Sequence, residues 1–197
     1  MANSTDIIIK PHNLINKRTI LKTKLKTKLH ALLSLAIFSG IVSAADLPDP
    51  RRTPGVLNPT ITQQNIHQTV CVKGYTKTIR PPMYYTNQLK KEQIKEAGYQ
   101  DTNPQHYEED HLVPLSVGGH PTDRRNLWPQ PRLSQWNADR KDELEYAIYQ
   151  GVCHQEISLI AAQQAFATNW IQAYQKYGVF LNKYHHGERH SFESPAE

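Results

Sequence analysis

The sequence predicts an α+β fold in a single domain, in which a small strand-loop-strand unit is followed by helices. Short apolar runs at 112–115 and 126–129, separated by a glycine-bearing loop, have the length and punctuation of strands. Apolar residues then recur at helical spacing through Leu144, Ile148 and Val152, and again through Phe166, Trp170, Tyr174 and Tyr177. About 150 residues remain once an N-terminal targeting stretch is set aside, which suits one domain with one core.

That stretch comes first in the chain. Seven basic residues from Lys10 to Lys28 precede an apolar run at 31–42 that ends in Ser43, Ala44 and Ala45. This is the order of a secretory signal, and the run is shorter than the roughly 20 apolar residues that cross a bilayer. Residues 1–44 are therefore expected to be a signal peptide, with an uncleaved anchoring helix as the alternative, and the mature protein is expected in the periplasm or outside the cell.

Removing the signal changes the charge. The chain carries 23 Lys and Arg against 18 Asp and Glu, of which seven bases and one acid lie in the first 44 residues. The balance left is 16 against 17, a net −1. The formal +5 belongs to the targeting segment, so any phosphate contact must come from local clusters of basic residues.

Residues 45–66 hold Pro48, Pro50, Pro54 and Pro59 and read as an extended lead-in. The domain proper is placed at 67–181. Residues 69–79 favour a strand around Cys71 until Pro81 and Pro82 stop it. Thr86 can cap a helix that runs to Ala97, with Leu89 and Ile94 inward and Gly98 beyond its end. Lys90, Lys91 and Lys95 fall on its polar side, which reads more simply as a solvated face than as a phosphate contact. After the two strands, Asn137 can cap a helix from Ala138, and a last helix is expected from Ser158 to Tyr177. Its aromatic stripe has the spacing of a core-facing row. Residues 182–197, with His185, His186 and His190, read as a polar, flexible tail. The two cysteines, Cys71 and Cys153, lie in the exported part, where a disulfide persists, and pairing is expected over two free thiols.

Asp110 and His111 adjoin each other beside Glu108 and Glu109, and Asn126 follows 15 positions after His111 across the loop. A carboxylate can hold a hard cation and an imidazole can take a proton from water, the two needs of phosphodiester hydrolysis. In a regular strand the two side chains point to opposite faces, so a shared site needs an irregularity or access from the strand edge. The three residue types alone fit a turn-rich structural region as readily as a catalytic one.

The wording from Asp110 to Leu115, then Gly118, Gly119, Asp123, Arg124, Arg125, Asn126 and Leu127, closely resembles HNH endonucleases. Tyr107, Glu108 and Glu109 before it, Trp128 and Pro129 after it, and Lys141 to Glu145 make it similar to a group of small exported bacterial HNH proteins. The strong similarity covers about 107–146. It implies a ββα-metal core at about 107–151 and a metal-dependent endonuclease of low sequence specificity, cutting DNA more readily than RNA.

The resemblance further implies His111 as general base, Asp110 as metal ligand, and Asn126 as a base-orienting residue or second ligand. It implies one divalent ion, with Mg²⁺ best suited to oxygen ligands and Mn²⁺ or Zn²⁺ as alternatives. Many such proteins place a last histidine near the following helix, and this chain has none between Asn126 and Cys153. Asp139 and Glu143, on one helix face, are candidates to complete the ligand set, with Asn137 and Asp142 beside them. Arg124, Arg125 and Lys141 are the expected phosphate-binding residues. A monomer is expected. The rival readings are a non-catalytic nucleic-acid or partner-binding module on the same scaffold, and an exported phosphodiesterase with another substrate.

Overall fold

A computed structural model describes residues 46–184, and the expected signal peptide and the tail histidines lie outside them. The elements run α1 (Tyr75–Ile79), α2 (Met83–Ala97), β1 (Tyr107–His111), β2 (Leu127–Pro131), α3 (Ala138–Cys153), α4 (Leu159–Lys176) and α5 (Gly178–Tyr184). Helix and strand are mixed, as an α+β class requires. No described helix is long and apolar enough to cross a membrane.

Strands β1 and β2 form a two-stranded antiparallel sheet that pairs Asp110 with Trp128 and His111 with Leu127. The charged stretch Tyr107–His111 is thus the first strand, and the apolar run at 112–115 expected to form it turns away behind it. That run is buried in the core, where a bend closed on the Pro114 carbonyl suits it better than a ladder. Strand β2 likewise continues through Pro129 to Pro131. The Leu112 N–H donates to Asn126 and the Arg132 N–H to His106, so by alternation both prolines stand opposite partners that exchange no hydrogen bonds.

The loop between the strands has strict local requirements. Gly118 sits at φ +84°, a left-handed conformation that disfavours side chains. A Cβ on Gly119 would lie 1.8 Å from the Val113 carbonyl oxygen. Asn126, fully buried, closes the loop from inside: its Oδ1 accepts from the Val113 N–H at 2.9 Å, and its Nδ2 donates to the Val113 and His120 carbonyls at 2.9 and 3.1 Å.

Residues 69–79 form no strand. The N–H of Cys71 donates to Ile66, that of Val72 to Thr69 and that of Tyr75 to Val72, so this backbone is satisfied by its own turns before α1 begins. With those bonds met locally, the β-propensity of the segment has no ladder to act on. The segment is instead pinned to α3 by the disulfide Cys71–Cys153, whose Cα atoms are 5.6 Å apart across 82 positions. In the chain-entropy account such a loop closure contributes about 4 kcal/mol.

The helices follow their caps. α2 begins three residues before Thr86, after Pro82, and Gly98 ends it at φ +66°. Asn137 and Ser158 cap α3 and α4 through Arg140 N and Ala161 N. Phe166 and Trp170 are fully buried and Tyr177 nearly so, among Val70, Leu144, Ile148 and Val152, which makes the aromatic stripe core. The chain stays helical through Tyr184, so the segment expected as a tail from 182 opens inside α5.

Candidate functional site

The pleat of β1 separates its side chains. Glu108 and Asp110 fall on the face toward α3, with Gln130 and Trp128 opposite them. Tyr107, Glu109 and His111 fall on the other face, where Tyr107 packs on Tyr99 with ring centroids 5.3 Å apart. The Nζ of Lys90 in α2 donates to the Tyr107 carbonyl at 3.0 Å and anchors that helix along the strand. Asp110 and His111, adjacent in sequence, therefore meet different neighbours.

His111 is 4% exposed, and its Nε2 lies 2.9 Å from the Pro121 carbonyl oxygen. A carbonyl only accepts, so Nε2 carries the proton and Nδ1 keeps its lone pair. Burial pulls the imidazole down to about 4, although Asp110 and the Pro121 carbonyl push the other way. The ring is thus a neutral, oriented base at pH 7.

His111 lines a cleft of about 1090 Å³ together with Glu108, Glu109, Asp139 and Asp142. The cleft also holds Arg80, Lys90, Lys91 and Arg132, so its wall carries both signs of charge. Glu109 has both carboxyl oxygens buried without a hydrogen-bond partner, and burial, with Asp110 next to it, pushes it up to about 9. Asp142 is pushed up to about 9 by burial and then by Glu145 and Asp110. Both are protonated acids at pH 7.

On the α3 face the dominant group is Lys141, which is fully buried. Its Nζ donates to Asp110 Oδ2 at 2.5 Å, to the His111 carbonyl at 2.8 Å and to Glu145. Burial opposes its charge, but Asp110 and Glu145 outweigh that and hold the ammonium well above the ordinary lysine range. Arg132 pairs with Glu108 at 3.0 Å on the same face.

The residues expected at the site are distributed as follows. His111 reaches the cleft. Asp110 is turned to Lys141. Asn126 braces the loop with its whole amide, because Val113 and His120 approach it closely. Asp139 lines the cleft, but Glu143 accepts from the Tyr174 hydroxyl at 2.9 Å, so the two do not converge. The three expected phosphate-binding residues are engaged elsewhere: Arg124 with Glu96 at 2.7 Å, Arg125 with Asp123 at 2.6 Å, and Lys141 inside. Asn137 spends its side chain as a cap.

Sequence reading missed Arg80. It is exposed, follows α1, lines the cleft, and makes no ion pair or side-chain hydrogen bond among the described residues. The rigid Pro81-Pro82 step after it was the available signal, read only as a strand breaker.

The implied divalent ion can be tested against these donors. Among the described residues no three His, Cys, Asp or Glu side chains are grouped to hold an ion. Asp110 is bonded to an ammonium, and the Asn126 oxygen is buried against the backbone. The residues as arranged do not fit a preformed site between Asp110 and Asn126. Comparison of the chain with protein-family models, curated proteins and solved structures gives no match, so the functional reading rests on its own residues.

Proposed function

We propose that this chain is an exported endonuclease, a phosphodiester hydrolase that acts on nucleic acid, DNA more readily than RNA, from a ββα core of the HNH type. The observation that carries the reading is His111: a neutral imidazole, fixed through Nε2 by the Pro121 carbonyl, on the wall of a cleft that also carries Arg80. In this reading Nδ1 takes a proton from water as the water oxygen attacks phosphorus. The bond to the 3′ oxygen breaks, and that oxygen leaves as a hydroxyl after taking a proton from solvent, so the products carry 5′ phosphate. General-base assistance of this kind is worth about 10²–10⁴ in rate.

Arg80 and Lys91 bring positive charge to the phosphate from the cleft wall. No step is routed through a metal ion, because the donor set does not fit one. The antiparallel strands followed by α3, with Gly119 and Asn126 shaping the loop between them, support this reading through their order along the chain.

Plasmid nicking by the purified, oxidised protein tests the reading, with EDTA, Mg²⁺ and Mn²⁺ arms and with His111→Ala beside wild type. Nicking that is lost in His111→Ala is the expected result. Equal nicking by His111→Ala, or none by wild type in any arm, defeats it. The second outcome leaves a nucleic-acid-binding module, which the locking of Asp110 by Lys141 favours over a different hydrolase.

A further inference from the structure

We infer that Lys141 is the resident cation of the interface between β1 and α3, its ammonium filling the place between Asp110 and Glu145 that a divalent ion would otherwise take. The inference does not depend on the cleft cutting nucleic acid. An ammonium has three protons to give, and Lys141 places them on a carboxylate of β1, a carboxylate of α3 and the His111 carbonyl. Its donors are saturated by fixed groups from both elements that an ion would have to bridge.

The local charge fits the same reading. Four acidic side chains, Glu108, Asp110, Asp142 and Glu145, influence one another in this interface. Arg132 answers Glu108, and Lys141 answers both Asp110 and Glu145. A divalent ion could enter only by expelling a lysine with no exposed surface, whose Nζ also lies 5.5 Å from the Phe166 ring centre.

Removing the ammonium changes what the interface can hold. Asp110 and Glu145 would be left buried and uncompensated. Gln130, opposite Glu108 in the sheet and fully buried, has an amide oxygen without a partner. Two carboxylates, with the Gln130 amide oxygen on the same face of the sheet, are donors of the kind that a hard divalent ion prefers.

Manganese is the probe, read by electron paramagnetic resonance and by thermal unfolding of the purified protein. Wild type should take up no stoichiometric Mn²⁺ at this position, and its Tm should be the same in EDTA and in Mn²⁺. Lys141→Ala should unfold at lower temperature and bind one Mn²⁺ at least about tenfold more tightly than wild type. At about 100 times Kd, Mn²⁺ should then raise its Tm by roughly 5–10 °C. Adding Asp110→Asn to Lys141→Ala should abolish that binding.

The inference is overturned if wild type binds one Mn²⁺ that Asp110→Asn removes, or if folded Lys141→Ala binds none. Should Lys141→Ala fail to fold even with Mn²⁺, the wild-type and Asp110→Asn titrations decide the question by themselves.

Discussion

The two faces of the hairpin use the same kinds of residue to opposite ends. Toward α3, Asp110 and Glu145 close on Lys141, which has no exposed surface, while Glu108 and Asp142 of that side reach the cleft. Toward the cleft, the Glu109 carboxyl oxygens are buried without a hydrogen-bond partner, and the His111 imidazole is oriented by the Pro121 carbonyl. Strand alternation divides the Asp110-His111 pair, so a motif that reads as one catalytic unit becomes a charge lock on one side and a neutral imidazole on the other. Adjacency in sequence is therefore a poor guide to shared chemistry on a regular strand.

The sharpest test of that contrast is His111→Gln. If the cleft face is the reactive one, nicking should fall by about 10²–10⁴, the range of a lost general base, while urea unfolding changes little. The pH profile should also separate the faces. Because burial lowers the folded-state value of His111 from 6.5 to about 4, the proton is held more weakly in the folded protein. The neutral, reactive form should thus persist below pH 6.5, with the acid limb of kcat/KM falling near pH 4. The same sign makes stability decline as pH drops through this window, because the unfolded chain takes the proton first. An acid limb at 6.5 would return His111 to an ordinary exposed histidine.

Next in size is the lock itself. Lys141→Ala removes one member of a buried charged group and should cost about 3–5 kcal/mol in urea unfolding. Lys141→Met in an Asp110→Asn/Glu145→Gln background should recover much of that loss, because no unpaired charge is left inside. A loss of under about 1 kcal/mol for Lys141→Ala, typical of surface pairs, would mean that this face is open to water.

Asn126→Asp distinguishes a brace from a ligand. A carboxylate there would face the Val113 and His120 carbonyls in place of an amide that donates to both. A loss on the order of 3 kcal/mol is expected from a buried unpaired charge and two lost hydrogen bonds. If stability were unchanged and Mn²⁺ bound more tightly, Asn126 would be a ligand after all.

What was legible in the sequence follows the range of the signal. Helices α3 and α4 could be read because cap and periodicity are local, at Asn137 and Ser158 and along Phe166 and Trp170. The loop glycines were visible, although the reason for Gly119, a collision with Val113, is a tertiary fact. The first strand lies just before the apolar run expected to form it, because apolar runs are taken for strands, and here a charged stretch holds the ladder while the apolar run fills the core. Lys141 was read as a phosphate contact because lysines are almost never fully buried unless paired. Its partner one turn along, Glu145, was visible, but Asp110 lies 31 positions away.

Arg80 and Arg124 carry the smallest effect, yet they test where substrate lies. Arg124 is 51% exposed and already paired with Glu96, whereas Arg80 opens onto the cleft beside His111. A hydrogen bond to a charged group is worth about 1.5 kcal/mol or more, so Arg80→Ala should weaken DNA binding about tenfold. It should also reduce the salt dependence of log K by about one unit of slope. Arg124→Ala should stay within about twofold, the difference expected of an exposed pair. Fluorescence anisotropy with a labelled duplex across a salt series reads both quantities. If the two variants were reversed, with Arg124 carrying the salt slope, the substrate would run over the α2–loop surface and His111 would be too deep to meet it. The cleft face would then be as closed to function as the α3 face, and the contrast between them would lose its chemical meaning.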